Sequence, residues 1–185
     1  MATHFCLFET PLGACGLVWS ERGILGVELP GRDAAATRAR LVRRHPQAVE
    51  SEASGALAEA RHAIVALLSG HNRDLSDIAL DMREQPDLHR KVYEIARTIA
   101  PGATLTYGDI AVRLGDRTLA QAVGQALGKN PWPIIVPCHR VLAAGGKIGG
   151  FSAPTGIVLK RKLLAIESVH AHGAPTLFDS VWAAS

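Results

Sequence analysis

The chain has 185 residues, 48% of them hydrophobic and 20% charged, with a formal charge of only +3. That is an ordinary globular composition, long enough to bury a core in one large domain or two small ones, and no apolar stretch in it is long enough to span a membrane. A charge so mild permits nucleic-acid binding without requiring it, so any DNA footprint has to come from local clustering.

The opening Met1–Cys6 has neither a basic leader nor a long apolar run, so no secretory signal is expected. Cys6, Cys15 and Cys138 are too few and too scattered for a disulfide framework. They suit a reducing cytoplasm, where a thiol stays free for chemistry. No Cys-x-x-Cys pair exists and the eight histidines lack ligand spacing, so no metal site is expected.

From the start of the chain, His4–Glu9, Ala14–Trp19 and Ile24–Leu29 read as antiparallel strands, short apolar runs broken by Pro11-Leu12-Gly13 and Glu21-Arg22-Gly23. Cys6 and Cys15 fall inside these runs and read as small core residues. Thr37–Arg44 is a basic helix candidate. Ala53–Leu68 is a firmer one, with Leu57, Ala60, Ile64, Leu67 and Leu68 on one stripe and Gly70 closing it. A boundary is placed around Met82–Pro86.

Beyond it, Leu88, Val92, Ile95 and Ile99 mark a helix stopped by Pro101-Gly102. Thr106–Leu114 and Thr118–Leu127 follow as two short helices joined by Gly115-Asp116-Arg117, a helix-turn-helix shape. Leu119, Val123, Ala126 and Leu127 form the inward face of the second helix, while Thr118, Gln121, Ala122, Gln125 and Lys129 lie outward. Most helical hairpins bind no DNA. Here Gly124 interrupts a small, polar outward face that could approach a groove closely, at a cost of roughly 1 kcal/mol against alanine.

The segment richest in chemistry is Asn130-Pro131-Trp132-Pro133-Ile134-Ile135-Val136-Pro137-Cys138-His139-Arg140-Val141. A β-branched run, expected to be a strand braced by Asn130 and two prolines, ends at Pro137, whose fixed backbone gives the following thiol a defined place. Taken singly, a cysteine beside a histidine is weak evidence. As a unit with the glycine-rich loop that follows, the pattern is specific.

On these residues the chain resembles the O6-alkylguanine-DNA alkyltransferases, also called methylated-DNA–protein-cysteine methyltransferases. The resemblance covers about Leu88 to Glu167. It is carried by Thr106-Tyr107-Gly108, Ala122-Val123-Gly124, Asn130-Pro131, Pro137–Val141, Gly149-Gly150-Phe151-Ser152 and Lys160…Leu163-Leu164…Glu167. The N-terminal half matches only loosely, through Thr10-Pro11-Leu12-Gly13 and the strands around it. The resemblance implies an α/β fold in which a small ribonuclease-H-like N-terminal domain (1–83) precedes a mainly helical domain (84–170). That second domain would carry the helix-turn-helix and the active-site cysteine, with a tail over 171–185.

The function implied is direct-reversal DNA repair: irreversible, once-only transfer of an alkyl group from O6-alkylguanine, with O4-alkylthymine as a further candidate lesion, onto Cys138. A thiolate is the strong, soft nucleophile this needs, and a free thiol near neutrality must first lose its proton. The resemblance assigns that to His139 through a bound water, with Glu167 orienting the imidazole. The thioether product is inert to water, so no cofactor or metal is expected.

Because a base inside a duplex is out of reach, the nucleotide must be flipped out at a cost of a few kcal/mol. The resemblance gives Tyr107 a role in rotating the phosphate and in donating to guanine N3, and Asn130 a buttressing role. It places Ser152 near O6 and the Val141 carbonyl at the exocyclic amine, with Pro133, Trp132 and Phe151 as pocket walls. The bland reading of each aromatic is core packing. Thr106, Tyr107, Arg117, Ala120, Gln121, Ala122, Gly124, Gln125 and Arg140 are the implied DNA contacts. The expected partner is double-stranded DNA containing alkylated guanine, bound by a cytoplasmic monomer that touches no membrane.

The sequence departs from the family pattern at Gln121, where an arginine usually fills the hole left by the flipped base. Glutamine brings no charge, and Arg117 lies one helical turn earlier. Phe151 stands for a more usual tyrosine and Ala153-Pro154 for glycines. Two rival readings remain. One is a lesion-binding protein with weak or altered repair, suggested by Gln121 although such relatives replace the cysteine. The other is unrelated thiol chemistry, a hydrolase or redox sensor, for which neither an acyl substrate nor a nearby resolving cysteine speaks.

Overall fold

The structure, a computed structural model, describes residues 2–148 and 156–172, the last four of these by backbone alone. Strands β1 (His4–Phe8), β2 (Cys15–Ser20), β3 (Gly23–Glu28) and β4 (Val49–Glu50) form one sheet in the order β3-β2-β1-β4. The first three pair as antiparallel hairpins and β4 runs parallel to β1. The alternating apolar residues divide between the two faces. Phe5 and Val18 pack on Leu41 of helix α1 (Ala34–Arg44), whereas Cys6, Phe8, Cys15, Leu17 and Trp19 join the main core. A register shift between Val18 and Trp19 lets both Ile24 and Val27 of β3 reach that same core.

The outer edge of β3 is not left open. Ile24 N–H donates to Ala79 O (3.1 Å), Asp81 N–H donates to Ile24 O (3.0 Å), and Val27 N–H donates to Pro131 O (2.8 Å). An edge strand's unpaired groups are thereby satisfied by the same chain. Gly23 at the start of β3 has φ +137, and a Cβ there would stand 3.0 Å from Ala79 O, so only glycine fits this turn.

Helix α2 (Ala56–Leu68) buries Ala60, Ile64, Leu67 and Leu68 of the expected stripe, with Ala63 added and Leu57 only half-buried, and α3 (Asp87–Arg97) buries Val92, Tyr93 and Ala96. Then come α4 (Tyr107–Arg113), a 3₁₀ turn (Arg117–Leu119) and α5 (Ala120–Gly128). Thr106 and Asp109 form a reciprocal capping box that fixes where α4 begins. The last described helix is α6 (Gly156–His172). The main hydrophobic core draws on the sheet, α2, α3, α4, α5, the Trp132–Val141 segment and α6.

One local expectation is overturned. Ile134-Ile135-Val136 is not a strand: the segment folds into a tight loop in which Val136 N–H donates to Trp132 O (2.8 Å) and Pro133 bridges Val136. Pro131, Pro133 and Pro137 cannot donate to a ladder, and Asn130 takes the Val136 carbonyl for itself. Among the described residues of this half, the paired strands are β5 (Leu105–Thr106) and β6 (Val141–Leu142), in parallel. That short pairing brings the start of α4 beside the turn that carries Cys138.

Candidate active site

Asn130 organises the loop with both ends of its amide. Its Oδ1 accepts from Trp132 N–H (2.9 Å), and its Nδ2 donates to Val136 O (2.9 Å) and to Cys138 Sγ (3.4 Å). Pro137 then leads into a 3₁₀ turn, Cys138–Arg140, whose three residues are all buried. Cys138 retains 8% of its surface. Burial pushes its thiol pKa up, against the Asn130 amide, the Lys160 charge and the backbone N–H groups of Cys138 and His139, which pull it down. The net shift is upward, so the resting group is a thiol and needs a base.

That base stands next to it in the chain. His139 is fully buried, and its Nε2 lies 2.8 Å from Glu167 Oε1. Burial lowers its pKa despite the neighbouring carboxylate, so the ring is neutral. Burial alone would raise the Glu167 carboxyl, but His139 and Arg140 together hold it at about 2. An ionised carboxylate can only accept, which puts the ring proton on Nε2 and leaves Nδ1 as the acceptor. Nδ1 is buried and has no hydrogen-bond partner among the described residues.

Lys160, fully buried on α6, donates from Nζ to Val141 O (2.7 Å). It is a buried charge beside the Cys138 turn that sequence reasoning used only as a motif letter. The signal was there: Lys160, Leu163 and Glu167 share one face of α6 with Leu159, and all four are buried. Two charged residues on an otherwise apolar stripe point to an internal polar site. The Val141 carbonyl keeps one lone pair beyond the one Lys160 uses.

The helix-turn-helix lies alongside. On α5, Gln121 and Gln125 are exposed, as are Arg117 and Lys129, while Val123, Ala126 and Leu127 are buried. Ala120, Ala122 and Thr106 are half-buried. Gly124 faces Tyr107, whose ring a Cβ there would meet at 3.9 Å, an ordinary contact distance. Burial, and then the nearby Cys138, push the Tyr107 phenol above its ordinary 10.0. Tyr107 is thus near both Gly124 of α5 and the thiol.

Two sequence expectations are corrected. Trp132 is 1% exposed and cannot wall an open pocket. Its Nε1–H donates to Ile24 O (2.8 Å) and its ring meets Tyr93 edge-on, so it ties the loop to β3. Arg140 is 5% exposed and is not free for a phosphate, because its guanidinium is spent on Glu167 and Ile99 O. Pro133 is half-buried at the loop surface. Ser152 and Phe151, like Gly149-Gly150, Ala153-Pro154 and the tail from Gly173, lie outside the described residues. Among the described residues no cluster of His, Cys, Asp or Glu could hold a metal, and no helix is long and apolar enough to cross a membrane.

Comparison with known proteins identifies relatives of the whole chain. Residues 87–169 match the family described as 6-O-methylguanine DNA methyltransferase, DNA binding domain. The methylated-DNA–protein-cysteine methyltransferase of Mycolicibacterium paratuberculosis is 39% identical over 157 residues, covering 82% of this chain and 91% of that protein. A crystal structure of the Mycobacterium tuberculosis O6-methylguanine methyltransferase superposes with a TM-score of 0.74 at 31% identity, covering 96% of this chain and 99% of that one. The OGT of the same organism in complex with DNA superposes with a TM-score of 0.75 at 31% identity, covering 94% and 96%.

Proposed function

The chain belongs to the methylated-DNA–protein-cysteine methyltransferase family, and from that membership we propose how its residues divide the work. The activity is direct-reversal repair: an alkyl group leaves guanine O6 in DNA and stays on the protein. The observation that carries the assignment is the relay of buried polar groups, Cys138 beside Asn130, and His139 bound through Nε2 to an ionised Glu167.

In this reading the lesion is flipped out of the duplex and its alkyl carbon meets the Cys138 sulfur. The thiol proton passes through a water to His139 Nδ1 as sulfur attacks. The S–C bond forms while the C–O6 bond breaks, and the electron pair leaves on the guanine, which takes up the proton from the relay. Tyr107, donating to N3, stabilises the leaving base. Asn130 holds the loop and steadies the thiolate as it forms. The Val141 carbonyl, Ser152, Pro133 and Phe151 shape the base pocket. Thr106, Arg117, Ala120, Gln121, Ala122, Gly124 and Gln125 meet the DNA. No step calls for a cofactor, and a cytoplasmic place of action belongs to the same proposal.

Because a thioether cannot be hydrolysed at any useful rate, repair ends when every chain is spent. With O6-methylguanine DNA in excess, the repaired product should plateau at one per active chain, and Cys138→Ala should give none. Product that keeps rising would mean a turning-over hydrolase. Tight lesion binding with no product would mean a damage-binding protein.

A further inference from the structure

Arg140 stands where the resemblance implies a DNA contact, yet it faces inward. Its Nε donates to Glu167 Oε2 (2.9 Å), its Nη2 donates to Glu167 Oε1 (2.8 Å), and its Nη1 reaches Ile99 O just past the end of α3. Glu167 Oε1 therefore receives two donors, Arg140 Nη2 and His139 Nε2. Both oxygens of the carboxylate are held by one planar fork, a geometry that lysine cannot reproduce. The fork in turn is tied to a main-chain carbonyl in the segment that follows α3.

We propose that Arg140 is a positioning residue for the alkyl transfer: it keeps Glu167 a doubly held anion, and so keeps His139 Nδ1 open to receive the Cys138 proton. The inference rests on the proposed reaction and extends it. Its logic is a matter of tautomers. A buried carboxylate that loses its guanidinium gains a proton, and a protonated Glu167 can donate to His139 Nε2. The imidazole would then carry its own proton on Nδ1, the atom that has to accept. Among the described residues, Lys160 bears on both Cys138 and His139, and Asp74, from the segment before α3, lies in the field of Arg140. The groups that lower the Glu167 carboxyl are His139 and Arg140.

The test compares the full-length parent with Arg140→Gln and Arg140→Lys from about pH 5 to about pH 9. One readout is alkylation of Cys138 by iodoacetamide, followed on the Cys138 peptide by mass. The other is single-turnover methyl transfer from O6-methylguanine DNA at saturating DNA. Arg140→Gln should slow both at neutral pH by about tenfold or more, and should move the acid limb of the rate profile upward by about one pH unit. Arg140→Lys should restore the position of that limb by restoring the charge, while remaining slower than the parent.

Parental rates and pH profile in Arg140→Gln overturn the proposal. So does a loss confined to DNA affinity, with the saturated rate intact, which would make Arg140 a phosphate ligand. If Arg140→Gln does not fold, Arg140→Lys decides: slowing supports the proposal and parental rates overturn it. The iodoacetamide readout uses no DNA. A parent that takes no methyl group from DNA would sink the repair reading, while the iodoacetamide rates would still report whether Arg140 governs proton removal from Cys138.

Discussion

Ile134 is held at φ 77 and 1% exposed, a β-branched side chain in a region of backbone space that favours glycine. The loop closed by Asn130, together with burial of the side chain, keeps it there, four residues before the thiol. Removing the side chain costs packing, but the backbone should then prefer glycine. Ile134→Gly is accordingly expected to be more stable than Ile134→Ala by about 1 kcal/mol, the reverse of the usual order, as read by chemical denaturation. A second prediction concerns Glu167. Its folded pKa of about 2 lies below its ordinary 4.5, so its ionised form stabilises the fold above pH 4.5, and that contribution is lost as pH falls through about 2. Glu167→Gln, whatever it costs at neutral pH, should lose about 2–3 kcal/mol less than the parent across that acid window. Equal acid sensitivity in the two proteins would mean that the carboxyl is not depressed.

At the scale of elements, β3 and the nucleophile loop behave as one unit, joined by Val27 N–H to Pro131 O and by Trp132 Nε1–H to Ile24 O. Trp132→Phe keeps the ring against Tyr93 but leaves the Ile24 carbonyl with one donor fewer. A stability loss of about 1–3 kcal/mol is expected, together with slower methyl transfer at unchanged affinity for undamaged DNA. On α5 Gln121 is exposed and carries no charge, and in the proposed reading it faces the DNA. Gln121→Arg should tighten binding of lesion-bearing duplex by about threefold to tenfold at fixed salt and steepen the salt dependence. No change in either affinity or repair rate would mean that this position does not meet the DNA. Helix α5 was legible in the sequence because Val123, Ala126 and Leu127 mark its buried face, and the glycine expected in the turn before it, Gly115, has a positive φ (+95). The nucleophile loop was misread as a strand because β-branched residues suit both, and only the three prolines argued otherwise.

For the molecule as a whole, the two halves share one hydrophobic core, in which Trp19 and Ile24 of the sheet join Tyr93, Trp132 and Leu163 of the helical half. The hairpins of the first half could be read directly from Gly and charged turns between short apolar runs. The two-residue strands β4, β5 and β6 could not, since such pairings have no local signal and arise only when distant segments are brought together. The site divides in the same way. Cys138, His139 and Asn130 lie within nine residues of one another and announce themselves as a motif. The inward turn of Arg140 and the burial of Lys160 depend on α6 returning to the Cys138 turn, which no local pattern encodes. The central claim, that one sulfur accepts the alkyl group for good, is tested most directly by peptide mass spectrometry after incubation with O6-methylguanine DNA. A methyl group on Cys138 that survives prolonged dilution in buffer, with Cys6 and Cys15 unmodified, is the predicted result. A methyl group on either of those cysteines, or a mass gain at Cys138 that water removes, would contradict it.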